Sequence, residues 1–317
     1  MATRNHEINQ NKVNSFLINN AKRTEKQLIK LYRKALNQIR VLMVDLYEKL
    51  AVNGKLTLSE MSKFNRLKKL EKKITKEILN PMLTKSKAAT EKLILADYQG
   101  SYYGYAWATD QAVGVNLDWT LLKEADIKNA LNNPLKYIAF NDLSGTTKQG
   151  VNRAIAQGLS QGKGIAQMSK DIKKAMNISI NKAIRIARTE VHRVVEMGHR
   201  QEFLESKKNG MDVKFILVST LDDRTRPQSA QMDGQESNKD GLFKYPGVSE
   251  PKPVGDSGVA AYDINDRERT VERIEGFSPA IRRTREDGLI PAQTFKQWAQ
   301  EKGLKKNIYG QILFPAV

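Results

Sequence analysis

Two groups of charged residues carry the first chemical possibilities in this sequence. One is Arg188-Thr189-Glu190, and the other is Asp222-Asp223-Arg224-Thr225-Arg226. The carboxylates Glu190, Asp222 and Asp223 are the kind of oxygen set that holds a divalent cation, and such a cation can activate water against a phosphodiester. Against that chemistry, Arg188, Arg224 and Arg226 neutralise the acids, and no general base is evident in the pattern. Charge this dense beside an apolar strand is costly unless it is paired. The residues alone therefore predict a structural ion-pair network rather than a catalytic centre.

A third group is His192, Glu196 and His199. Their spacing can place three ligands on one helical face. The pattern is not HExxH and implies no further ligand, so the expectation is an exposed polar face with no metal. Gly162-Lys163-Gly164 has neither the full spacing of a phosphate loop nor a strand before it, and reads as a helix–helix turn.

These groups need a frame. Ile184, Ala187, Val191, Val194 and Val195 recur at three- and four-residue intervals, the buried stripe of a helix. Asn209-Gly210 ends it, and residues 213–219, VKFILVS, read as a strand. Pro227 suits the first turn of a following helix, which Gly234 stops. Upstream, residues 146–159 and 165–176 read as two helices, with Asn177 or Ser179 capping the helix that carries Arg188. Asn132-Asn133-Pro134 and residues 141–145 read as loops, with a domain boundary at the second.

The N-terminal half is helical by pattern. Residues 1–12 are polar and read as mobile. From Val13 to Ala51, Leu28, Tyr32, Ala35, Ile39, Leu42 and Leu46 form a heptad-like seam. Asn53-Gly54 breaks it, Thr57-x-x-Glu60 is a capping box for the next helix, and Pro81 marks a break or kink. The outer face of that helix carries Lys63, Arg66, Lys68, Lys69, Lys72, Lys73 and Lys76 against Glu71 and Glu77. A run of like charge is usually a solvated face, and this one is also the best local candidate for contact with nucleic acid. Tyr98, Tyr102, Tyr103, Tyr105, Trp107 and Trp119 are read as core packing rather than a base-stacking surface.

The chain has 317 residues, no cysteine, and a net charge of +18 with a pI near 9.8. That length allows two domains. Disulfides and thiolate metal sites are excluded. The excess positive charge points to an anionic partner, DNA first, bound in a salt-sensitive and largely sequence-independent way. No apolar run reaches membrane-spanning length and no signal-peptide core is present, so no membrane partner is expected. Residues 240–258 read as short strands joined by turns, and the tail carries Pro279, Arg282, Arg283 and Arg285, then a short helix from Ala292 to Lys302 with Phe295 and Trp298.

The combination of Ala187 to Glu190, Thr220 to Arg226, Ser229, Asp233-Gly234-Gln235 and Asp263-Ile264-Asn265 with Arg267 resembles the minor head protein family of tailed bacteriophages. This head morphogenesis family is named after the F protein of phage Mu. The resemblance covers roughly residues 140–275. Members often have His near Ser229 and often end the domain in Cys-Arg-Cys; here the triplet is Asp266-Arg267-Glu268. Any metal or chemistry at those positions would have lost part of its set.

The resemblance implies an α+β fold: an elongated helical region over 1–140, a small Mu F-like domain over 141–275 that residues 240–258 help to finish, and a tail over 276–317. It implies a structural virion protein at the portal vertex or capsid interior, acting in head morphogenesis and in DNA packaging or ejection. No enzyme activity and no cofactor are expected. The partners implied are the portal protein, other capsid components and phage double-stranded DNA. On this reading Arg188, Glu190, Asp222, Asp223, Arg224, Arg226 and Arg267 hold the domain together. The competing expectations are a metal-dependent enzyme acting on nucleic acid and a stand-alone basic DNA-binding protein.

Overall fold

The structure, a computed structural model, describes residues 2–114, 116–274, 281–283, 289–291, 293–301 and 303. Its elements in chain order are α1 (Ala2–Leu50), α2 (Leu58–Ser62), α3 (Arg66–Lys73), α4 (Asn80–Val113), α5 (Glu124–Leu131), α6 (Pro134–Ser160), α7 (Ile165–Lys208), β1 (Val213–Val218), α8 (Pro227–Met232), α9 (Ala260–Asp263), β2 (Arg269–Ile274), β3 (Ile281–Arg283), β4 (Leu289–Pro291) and α10 (Phe295–Glu301). Long helices lead and short strands follow, so the class is α+β, as expected. β1 pairs antiparallel with β2, from Val213 opposite Ile274 to Val218 opposite Arg269; β3 and β4 form a separate pair.

The chain divides into two compact units. One, here the helical unit, holds Ala21–Leu93 and Asn132–Ala187. The other, the mixed unit, holds Met1–Asn20, Ile94–Leu131 and Arg188–Val317. α1, α4 and α7 contribute residues to both.

The helical unit is built on one apolar core. Leu28, Tyr32, Ile39 and Met43 of α1 pack with Val151, Ile155 and Leu159 of α6 and Met168 and Ile172 of α7. The expected seam holds through Ile39, then moves from Leu42 and Leu46 to the buried Met43 and Tyr47. Thr57 caps α2 by accepting from the Glu60 amide at 3.2 Å. The second helix is then interrupted: Phe64 and Asn65 adopt φ of 53° and 55°. Pro81 does not break the chain's helical course. A π-type turn over Ile74–Leu79 precedes it, a wider backbone at the turn where the proline ring would meet a carbonyl.

Two expected interruptions are absent. α6 runs through residues 141–145, and Lys182 bonds Asp142 at 3.1 Å from α7. α7 runs through Asn177 and Ser179, whose hydroxyl bonds back to the Ala175 carbonyl at 3.1 Å. Asn, Ser and Gly are weak helix formers, but packing on a shared core outweighs a propensity deficit of about 1 kcal/mol per residue.

In the mixed unit, Val213, Phe215 and Leu217 put the inner face of β1 against Phe203, Met232, Phe243 and Tyr262. A second cluster joins Ile94 and Tyr98 of α4, Ala130 of α5 and Val194 of α7. α4 and α7 approach closely at Gly198, where a Cβ would stand 2.6 Å from the Tyr98 carbonyl oxygen. Of the aromatic run, Tyr98, Tyr102 and Tyr105 are core, while Tyr103 and Trp107 are exposed. Residues 240–258 form turns and a single bridge, Phe243 to Lys252, rather than strands.

The N-terminal residues are helical from Ala2 on. Gln10 explains part of this. Its Nε2 donates to the Glu272 carbonyl and its Oε1 accepts from the Glu272 amide, both at 3.0 Å, so a side-chain amide completes the open edge of β2. Phe277, Pro279, Arg285, Ala292 and Lys302, and the side chains of Arg282, Arg283, Phe295 and Trp298, lie outside the described residues.

Candidate functional site

The loop after β1 is assembled around Asp222, which is buried. Its carboxylate accepts from Arg267 Nη1 at 2.6 Å and Nη2 at 3.0 Å, a bidentate pair. It also accepts from the Arg224 amide at 2.9 Å, with the Arg224 guanidinium at 3.3 Å. Burial alone would raise this acid; the hydrogen bonds and charge of Arg267, helped by Arg224, outweigh it and hold Asp222 below the usual carboxylate range. Arg226 makes the second pair, to Asp266 at 2.7 Å, and donates to the Ala261 carbonyl.

The remaining residues of the sequence pattern also act by joining backbone. Asp233 accepts from the Ser219 amide at 2.7 Å, and the Gly234 amide donates to Leu217 at 2.8 Å with Gly234 at φ +83°. Asp263 accepts from the amides of Ser257 at 2.8 Å and Gly258 at 3.0 Å. Thr189 accepts from the Asn265 amide at 3.3 Å. Pro227 opens α8 at its first turn, where its missing N–H leaves nothing unpaired.

Not every charged residue singled out in the sequence joins this group. Glu190 pairs with Arg193 on its own helix at 3.2 Å, and Arg193 also donates to Ala130 at 2.6 Å. Asp223 and Arg188 are exposed. Glu190 and Asp222 are thus each held by an arginine, and Asp223 faces solvent. A small cleft is lined by Thr225, Arg226, Ser229, Arg267 and Glu268 among others. Burial, with the Asp266 charge beside it, pushes Glu268 up to about 7. His192 bonds the Glu268 carbonyl and stands 3.9 Å from Asp266. Burial pulls its pKa down, but the Asp266 and Glu196 charges prevail and raise it.

The histidine group is not an exposed face. Glu196 and His199 are buried, covered by β2 and by Tyr105. Thr270 gives both its amide, at 3.0 Å, and its hydroxyl, at 2.7 Å, to Glu196. His199 turns instead toward Glu202 and Glu272, which no motif in the sequence singles out. Among the described residues, His199, Glu202 and Glu272 are the three whose ligand atoms lie within 4.8 Å of one another. The one available signal is His199-x-x-Glu202, one helical turn; nothing in the sequence marks Glu272 as its neighbour.

On the basic face, Lys63 bonds Glu60 at 2.7 Å, and Arg66 bonds the same carboxylate. Lys68, Lys69, Lys72, Lys73 and Lys76 are exposed. Lys163 of the glycine turn pairs with Asp171 at 2.7 Å.

Comparison with known proteins agrees with the motif geometry. Residues 149–254 match the family described as Phage Mu protein F like protein. Over 93% of its length the chain is 30% identical to "Minor head protein GP7" of Bacillus phage SPP1, covering 97% of that protein. It is 26% identical, over 89% of its length, to "NAD(+)--arginine ADP-ribosyltransferase EFV" of Enterococcus faecalis, of which it spans 58%. No solved structure gives a significant match. The chain belongs to the phage minor head protein family and is a structural protein of the bacteriophage head.

Proposed function

We propose that this minor head protein works without catalysis, at the portal vertex or inside the capsid of a tailed phage, in DNA packaging or ejection. The observation that carries the non-catalytic reading is the saturation of Asp222: both its oxygens are held by Arg267, and Arg224 adds a third donor group. A carboxylate so occupied is a clamp between this loop and the segment that leads into β2, not a base or a cation ligand. Arg226–Asp266 and Glu190–Arg193 serve in the same way at neighbouring joints, and Arg188 and Asp223 complete the charged surface around them. The portal protein and other capsid components are its protein partners, and neither a cofactor nor a membrane enters its work.

DNA contact falls to Lys68, Lys69, Lys72, Lys73 and Lys76, which recur one turn apart along roughly 12 Å of helix. Lys63 and Arg66, held by Glu60, contribute less than their charge promises. The test is a salt titration of double-stranded DNA binding by the purified chain. Changing the five lysines to glutamine should flatten the slope of log K against log salt by about 0.9 for each phosphate no longer neutralised. An unchanged slope would remove this face from the reading. The place in the particle is tested by quantitative mass spectrometry of phage before and after triggered ejection. Loss on ejection means a DNA-associated protein, retention means a fixed portal component, and absence from both defeats the placement.

An enzyme acting on nucleic acid is the rival reading, and the raised Glu268 in its cleft is the observation on its side. DNA degraded only with magnesium, and no longer degraded by the folded Glu268→Gln variant, would establish it. The ADP-ribosyltransferase name belongs to a longer protein, and no transfer step is assigned to this chain.

A further inference from the structure

We propose that His199, Glu202 and Glu272 form a buried site for one divalent first-row transition cation, of the class Zn²⁺ represents. Each side chain is held from behind, and their free atoms converge. His199 and Glu202 are one helical turn apart on α7, and the β1–β2 register brings Glu272 of β2 to them, opposite Phe215. Tyr105 stacks on the His199 ring at 3.6 Å and 10°, fixing its plane. Gln10 fixes the Glu272 backbone from both sides.

Proton counting decides which imidazole nitrogen faces the acids. Thr270 has one hydroxyl hydrogen, and it goes to Glu196 at 2.7 Å. The Thr270 oxygen, 2.9 Å from His199 Nδ1, is therefore an acceptor there. With Glu196 ionised, Nδ1 carries the hydrogen and Nε2 presents a lone pair. Nε2 has no hydrogen-bond partner, and Glu202 Oε2 is 4.0 Å away, too far to supply one. On Glu202, the hydroxyls of Thr109 and Ser206 both donate to Oε1 at 2.9 Å, leaving Oε2 bare. The Glu272 carboxyl lies beside Glu202 and the Thr109 hydroxyl, and neither of its oxygens is satisfied by a well-formed hydrogen bond. Three buried acceptor groups thus converge, and the two carboxyls are close enough to share a proton.

Such a convergence is stable only with protons or a cation at its centre. His199 is fully buried, which disfavours the imidazolium, and the neutral imidazole is the form that binds metal. Burial raises Glu202 and Glu272, and the Glu202 charge raises Glu272 further. The other titratable groups facing the cluster are His6 on α1, Asp110 on α4, Glu196 on α7 and Arg269 on β2. One imidazole and two carboxylates suit Zn²⁺ and its neighbours better than Ca²⁺ or Mg²⁺, which take all-oxygen sets. The carboxylate–threonine–imidazole chain behind His199 is the support that metal-bound imidazoles use.

The test uses the full chain without a histidine tag, stripped with chelator and titrated with Zn²⁺. Calorimetry and elemental analysis should give one ion per chain, with proton release that grows as the pH is lowered. The double variant Glu202→Gln, Glu272→Gln keeps the shape of the protonated pair, so it should fold, as circular dichroism reports, and take up no ion. Thr270→Val should weaken binding about 10- to 100-fold without changing stoichiometry, the loss expected for a positioning residue. No uptake by folded wild-type protein overturns the proposal. So does uptake that survives in the double variant, because the ion is then held elsewhere.

Discussion

The two units solve burial by opposite means. The helical unit closes on leucine, isoleucine, methionine and tyrosine, and among its described residues Lys136 is the one charged side chain that is buried. The mixed unit buries Glu196, Glu202, Asp222, Asp266, Glu268 and Glu272, together with His199 and Arg193. Apolar contact is non-directional, so a helix in such a core is set by volume and shape. A buried carboxylate is stable only with its partners in place, so it fixes position at a cost in stability. The difference predicts that the helical unit answers to cavities, and the mixed unit to pH and to loss of a partner.

The largest effect belongs to the helical unit. Ile155 is fully buried among residues of α1, α6 and α7. Ile155→Ala should cost about 2–5 kcal/mol through lost transfer energy and the cavity left behind. Urea denaturation gives the size, and hydrogen exchange should show the loss within the helical unit. A cost below about 1 kcal/mol would mean that this core is plastic, and the contrast with the mixed unit would weaken.

The next effect is a pH dependence confined to the mixed unit. Glu268 sits at about 7 against an ordinary 4.5. Below pH 4.5 the folded and unfolded states both hold its proton. Between 4.5 and 7 the unfolded chain releases the proton while the folded chain keeps it, so stability falls as pH rises. Glu268→Gln should match wild type near pH 4 and exceed it at pH 7, by on the order of 3 kcal/mol. His192, raised, loses stability in the same direction, whereas His6 and His199, lowered, oppose it below 6.5. The difference between variant and wild type removes the contributions of His6 and His199, while His192, which faces Glu268, titrates with it. An equal difference at both pH values would show that Glu268 has no special environment.

What the sequence disclosed follows the same division. The buried stripes of the helical unit were legible because apolar letters at three- and four-residue spacing report burial directly, whereas the unbroken course of α6 and α7 was not. β1 was legible for the same reason, its apolar run being bounded by charge. β2 was not. In Arg-Thr-Val-Glu-Arg-Ile the buried positions are Thr270 and Glu272, so the alternation is present but its inward letters are polar. The N-terminal turn was missed likewise, since Gln10 is buried against backbone rather than against an apolar face. The histidine spacing was visible, but its burial depends on β2 and Tyr105, which lie far off in the chain. The ion pairs were legible as a cluster, and not in their pairing. Arg267 was named from the family pattern, while Arg193 and Asp266 became partners only through geometry.

Pairing is where the next prediction lies. Removing one member of a buried ion pair costs about 3–5 kcal/mol. Arg267 is itself 35% exposed, so water re-enters when it is lost and Arg267→Ala should cost about 2 kcal/mol. Removing Asp222 as well should return part of that, because the double variant leaves no uncompensated acid. Additive losses would mean that the two residues act separately and that the clamp is not a unit.

Arg224 gives the smallest effect and the finest test. It follows Asp222 in the motif as closely as any arginine, and the sequence alone makes it the natural partner. In the structure its side chain is 38% exposed and reaches Asp222 at 3.3 Å, while its backbone amide, at 2.9 Å, makes the closer contact. Substitution leaves that amide in place. Arg224→Ala should therefore cost no more than about 1 kcal/mol, and less in high salt, because an exposed guanidinium is screened. Thermal melts of Arg224→Ala and Arg267→Ala at low and high salt measure the ranking. If Arg224 proves the costlier loss, the acid is held by its neighbour in sequence rather than by Arg267, and the mixed unit is less dependent on distant partners than its buried charges imply.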